Sequence, residues 1–149
     1  MRRSYCGPVS TLDEVMRSVV DSVDGALGCA VVDVTSGDLL GVAHNVPYFT
    51  QEYLDAVAAA AVQMFRGYTV SHVEKLISER RGVAPEHLIE EVQMTTRRTI
   101  HFMMILPNHE ESCVVLITDR RTNLGMSWAA IRGSVLDIEP ILDAAGTAA

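Results

Sequence analysis

TIHFMMIL, residues 99–106, alternates as a strand would, yet both of its faces are apolar. Ile100, Phe102, Met104 and Leu106 fall on one side, and Met103 and Ile105 on the other. CVVLITD, residues 113–119, reads the same way. A strand that is apolar on both faces sits inside a sheet covered on both sides. HLIEEVQMT, residues 87–95, is half polar and reads as an edge strand next to them. Thr96 to Arg98 forms the turn between the two, and Pro107 to Ser112 a polar loop. Upstream, GCAVVDV and LLGVAH flank TSGD and make a hairpin. Short connections imply an antiparallel sheet of five strands.

The cover must come from helices. Ser10 and Thr11, followed by Asp13 and Glu14, have the pattern of a capping box. Leu12, Val15, Met16, Val19, Val20 and Val23 then follow at three- and four-residue spacing, up to Asp24-Gly25. Thr50 is placed to cap a second helix running from Gln51 to about Arg66, where Gly67 interrupts it. VSHVEKLISERRG is helical again, with Val70, Val73, Leu76 and Ile77 on one face, and Gly82 and Pro85 close it. A last helix starts at Asn123 with Trp128, Ile131, Val135 and Ile138 on its inner face; residues 143–149 read as a frayed tail. The order is αββαβββα with an extra helical insertion at about 68–87, an α+β fold in three α/β/α layers. The whole chain, 1–149, reads as one domain with its core at about 11–142.

The second helix carries too much apolar surface. At about 100° per residue, Glu52, Asp55, Gln63 and Arg66 share one narrow stripe, while Tyr53, Leu54, Ala56, Val57, Ala58, Ala60, Ala61, Val62, Met64 and Phe65 fill roughly 240°. One sheet needs only about 100° of that arc. The remainder is covered either by a second copy of the chain or by the 68–87 segment.

Composition narrows the functional classes. Apolar residues make up 48% and charged residues 21%, values of a folded chain. A net charge of -7 argues against a nonspecific nucleic-acid binder. No apolar run reaches the roughly 18 residues of a membrane span, and Ser4 to Thr11 lacks the apolar core of a signal peptide. Cys6, Cys29 and Cys113 form no CxxC pair, and the last two lie in apolar runs; a reducing cytoplasm suits them.

The element order, together with GALGCAVVDVTSGDLLGV, the Ala-rich helix from Gln51, and VVLITDRRTNLGMSWAAIRGSV, resembles the Roadblock/LC7 family. Its most specific piece is D-x-x-T-N-L-G-M, Asp119 to Met126, and the likeness covers about Leu12 to Leu142. The 68–87 segment is longer and more helical than the family's usual link. The resemblance implies a profilin-like five-stranded sheet with the first and last helices on one face and the central helix on the other. It also implies homodimers built by paired central helices and paired third strands. Tyr53, Ala56, Val57, Ala60, Met64, Glu91 and Gln93 are the expected seam. It further implies regulatory or scaffolding proteins that bind small Ras-like GTPases.

No residue set points to chemistry. His44, His72, His87, His101 and His109 are scattered without zinc-site spacing, and His101 reads as a hydrogen-bonded strand residue. The glycines form no phosphate-binding loop. Neither catalytic residue, metal nor cofactor is expected. Two polar features remain as partner contacts. One is the stripe of Glu52, Asp55, Gln63 and Arg66. The other is a rim of Arg97, Arg98, Arg120 and Arg121, which the antiparallel order brings to one end of the sheet, suited to steering an acidic partner. The rival reading is a small-ligand sensor with an apolar pocket between the Tyr48-Phe49 loop and the sheet.

Overall fold

The computed structural model describes residues 11–147. Cys6, Ser10 and the segment read for a signal peptide up to Ser10 lie outside them. Three β-hairpins and a strand-to-helix junction organise the chain: α1 (Leu12–Ser22), β1 (Ala26–Asp33), β2 (Leu39–His44), α2 (Gln51–Arg66), α3 (Tyr68–Arg81), β3 (Glu91–Thr95), β4 (Thr99–Leu106), β5 (His109–Asp119) and α4 (Leu124–Thr147). The sheet is antiparallel throughout, in the order β2-β1-β5-β4-β3. β3 is an edge, as its polar alternation requires.

The strand alternation feeds two separate cores. Phe102, Met104 and Leu106 of β4 join Val114 and Leu116 of β5 beneath α1 and α4, where Met16, Ile131 and Ile138 are fully buried. Met103 and Ile105 join Cys113, Val115 and Ile117 beneath α2. Each fully buried Phe or Leu side chain contributes about 1.5–3 kcal/mol, so covering both faces is what makes this sheet stable. Cys29 and Cys113 are buried in opposite cores, and burial pushes both thiols up to about 12.

Four details depart from the sequence reading. First, β3 comprises only Glu91–Thr95; residues 87–90 approach it outside the strand. Second, β5 begins at His109, so the expected 107–112 loop shrinks to Pro107 and Asn108. Third, α4 continues through Pro140 to Thr147 rather than fraying from residue 143. Contacts on both sides of the proline hold it down. Asn108 donates from its backbone to Glu139 Oε2 at 2.7 Å, and His109 Nε2 lies 2.7 Å from Asp143 Oδ1. Burial lowers the His109 pKa, but Asp143 and Glu111 outweigh it and leave the imidazole above its ordinary value.

The fourth departure is α3. Val73, Leu76 and Ile77, which share one apolar face, are exposed, whereas Glu74 and Ser78 are buried. Backbone amides, not a sheet face, lie behind this helix. Glu74 Oε2 accepts from the N–H groups of Leu88 and Ile89, and Oε1 lies 3.3 Å from His87 Nδ1. A segment entering a strand without a ladder partner needs an acceptor, and only the polar side of α3 supplies one.

Candidate interaction surface

α2 is built to present two different faces. Its start is fixed by Thr50, whose hydroxyl accepts from Tyr53 N–H at 3.2 Å. Replacing this cap by Ala is expected to lower stability by about 1 kcal/mol in a denaturant titration, without altering the spectrum of the folded state. Its end is fixed by Gly67, where the chain turns to extended backbone and a Cβ would collide with the Gln63 carbonyl. Between them Leu54, Ala58, Ala61 and Phe65 are buried against the sheet at four-three-four spacing. On the far side Ala56 and Ala60 are exposed beside half-buried Tyr53, Val57 and Met64, while Ala59, also exposed, lies within the polar stripe. α3 packs beside α2 but leaves these alanines bare, so the 68–87 segment is not their cover.

The polar stripe is split in two. Glu52, Asp55 and Gln63 are exposed, with Gln51 Nε2 donating to Asp55 at 2.8 Å. Arg66 is half-buried, and its guanidinium donates to the carbonyls of Glu110 (2.8 Å) and Phe65 (3.0 Å). It therefore ties the end of α2 to the start of β5.

Glu91 and Gln93, placed in the expected seam, turn their side chains to α4 of the same chain. Arg132 Nη2 donates to Glu91 Oε2 at 2.8 Å, and Trp128 Nε1 donates to Gln93 Oε1 at 2.9 Å. Arg132 also lies over the Trp128 ring, which meets Phe102 edge-on. What remains open at this edge is the backbone of β3, which has no strand on its outer side among the described residues.

The four rim arginines do meet at one end of the sheet. Thr99 opposes Asp119, so the β3–β4 turn lies beside the β5–α4 junction. Arg120 Nη1 donates to the Thr96 carbonyl at 3.0 Å, and Arg121 stands 4.0 Å from Asp119. Arg97 and Arg98 are exposed on the turn itself. The pocket required by the sensor reading is filled. Phe49 is buried, stacks on Tyr53 with ring centroids 4.6 Å apart, and lies against Gly28, where a Cβ would come within 3.0 Å of its ring. A cavity of about 10 Å³ is left, scarcely room for one water. His101 is buried, with Nε2 3.1 Å from Thr99 Oγ1; burial lowers its pKa, which suits a structural imidazole. Among the described residues no group of three or more His, Cys, Asp or Glu is placed to hold a metal ion, and no helix is long and apolar enough to cross a membrane.

Sequence reasoning missed Glu74. Its signal is weak: a lone acid opposite an apolar stripe reads as solvated, and only the path of residues 87–89 turns it inward.

No protein-family model matches the chain, and no curated protein matches it. Solved structures do. An MglB described with a tetrameric arrangement is 18% identical, with 95% of each chain covered and a TM-score of 0.72. A Roadblock/LC7 domain from Streptomyces avermitilis is 17% identical, covering 89% of this chain and 98% of its own, with a TM-score of 0.65. The gliding protein MglB from Thermus thermophilus is 17% identical, with 93% of each chain covered and a TM-score of 0.66. These likenesses, the two-faced sheet and the order of its strands agree on one architecture: the chain has the Roadblock/LC7 fold.

Proposed function

We propose that this protein is a non-enzymatic, homodimeric regulator or scaffold that binds a small Ras-like GTPase. The observation that carries the reading is the outer face of α2, where Ala56 and Ala60 stay exposed beside Tyr53, Val57 and Met64 after the chain has folded. Small side chains let two helix backbones approach closely, so a second α2 fits that face better than water does. In the dimer Tyr53, Val57 and Met64 border the helix pair, and the open backbone edges of two β3 strands pair alongside it. Glu91 and Gln93 then support the seam indirectly, by holding β3 against α4.

The GTPase would meet the composite surface made by both α2 helices, bordered by Glu52, Asp55 and Gln63. Such a site exists only in the dimer. The arginine rim is a separate electrostatic contact for an acidic partner. Capture of a small GTPase from native lysate, followed by titration of the purified pair, tests the reading. Glu52→Lys with Asp55→Lys is expected to weaken the complex at least about tenfold while dimer mass and melting temperature hold, because both side chains are exposed. Unchanged affinity would remove the polar stripe from the contact.

A further inference from the structure

The two edges of the sheet are finished differently. At β3 the outer backbone groups have no strand beside them among the described residues. β2, at the other end of the strand order, has no outer strand there either, but its outward groups are taken. Asn45 N–H donates inward to the Leu27 carbonyl, so alternation along the strand turns the backbone of Val42 and His44 outward. α1 meets both. Asp13 Oδ1 accepts from Val42 N–H at 2.8 Å, and Arg17 Nη2 donates to the His44 carbonyl at 3.0 Å. Asp13 and Arg17 stand one helical turn apart, so they share a face of α1 and reach the edge together. Arg17 is held in place by Asn45 Oδ1 at 2.7 Å and by Asp21 at 3.7 Å.

Gly41 makes the fit possible. A Cβ there would stand 2.5 Å from Leu12 Cβ and 3.1 Å from the Leu12 carbonyl carbon, so glycine is what lets the start of α1 lie on the strand. Val15, Met16, Val19 and Val20 are buried and anchor the helix independently of the two polar contacts. Asp13 and Arg17 are themselves exposed, so their loss leaves the core whole. Their contacts do what a neighbouring strand would do: they offer an acceptor to the outward N–H and a donor to the outward carbonyl.

We infer that Asp13 and Arg17 seal the β2 edge, so that strand pairing between copies is confined to β3 and ends at two chains. A β2 edge left as open as β3 would give each chain two edges able to pair with their own kind, and pairing at both continues without closing. The seal rests on the dimer reading above only for the number two. Removing it adds one pairing step whatever mass the wild type has.

Light scattering of the full chain over a concentration series, with circular dichroism to check the fold, tests the seal. Asp13→Ala with Arg17→Ala is expected to keep the wild-type spectrum and to reach at least about twice the wild-type mass, growing further with concentration. Asp13→Asn with Arg17→Lys keeps an acceptor and a donor and should stay at wild-type mass. Adding Val42→Pro to the Ala pair removes the outward N–H from the freed edge and should restore wild-type mass. In the Ala pair, diluted until it no longer associates, hydrogen exchange at the Val42 amide should quicken at least about tenfold. If the Ala pair does not fold, either single substitution decides, since each frees one outward group and should still give growth, though less of it. Wild-type mass in a folded Ala pair, unchanged exchange at Val42, growth of the Asn–Lys pair, or growth that Val42→Pro leaves untouched would each overturn the proposal. A monomeric wild type would count against the α2 and β3 dimer instead, and the Ala pair should then still double.

Discussion

Ala60→Glu is expected to halve the particle mass, from twice 16.3 kDa to a single chain, in light scattering at micromolar concentration. Ala60 is exposed in the isolated chain, so a carboxylate there meets water and the monomer should keep its circular dichroism and melt cooperatively. In a helix-to-helix seam the same carboxylate is buried without a partner. The two-fold axis brings a second like charge close to it, and the combined cost is several kcal/mol, enough to dissociate a micromolar dimer. GTPase binding should vanish with the dimer, since the proposed contact spans both protomers. A folded dimer of the Ala60→Glu variant, or a wild type that is itself monomeric, would move the seam elsewhere and remove the basis of the proposed function.

Glu74→Ala is expected to lower stability by about 2 kcal/mol and to loosen residues 82–90 while the sheet stays intact. The substitution strands the Leu88 and Ile89 amides, each worth about 1–3 kcal/mol if left buried, reduced here because both residues are only half-buried. Hydrogen exchange should therefore quicken at these amides and across α3, but not in β4 or β5. The contact also has a pH signature. Burial raises the Glu74 pKa, but hydrogen bonds from Leu88, His87 and Ile89 outweigh it and hold the carboxyl below its ordinary value of 4.5. A folded-state pKa below the unfolded one means the stabilisation is fully present above pH 4.5 and is lost as pH falls through the folded value. Glu74→Gln keeps an acceptor but removes the charge, so it should fall between wild type and Ala and flatten the acid limb of the stability profile. Equal exchange rates in wild type and Glu74→Ala would show that α3 is docked by something else.

Much of the fold could be read from residue order because it rests on local periodicity. TIHFMMIL and CVVLITD are apolar on both faces whatever surrounds them, and that alone demands a sheet covered twice. The caps at Thr11 and Thr50 and the break at Gly67 are local backbone chemistry and appear where their residues stand. The excess apolar arc on α2 is equally a property of its sequence, as is the bareness of Ala56 and Ala60 once one face is used.

The tertiary structure decided what depends on neighbours far along the chain. An apolar stripe on α3 suggests an inner face, yet Glu74 is turned inward because amides 14 and 15 residues away lack acceptors. Glu91 and Gln93 are expected in the dimer seam and Arg66 on the partner-facing stripe, but the fold brings Arg132, Trp128 and the Glu110 carbonyl beside them. Around Pro140, α4 is held to the β4–β5 turn through Glu139 and Asp143, which Asn108 and His109 meet from far along the chain. Periodicity reports which residues are apolar, and so how many layers must form. Which polar group satisfies which is settled only when distant backbone arrives, since a buried donor must find its acceptor wherever the fold has placed one.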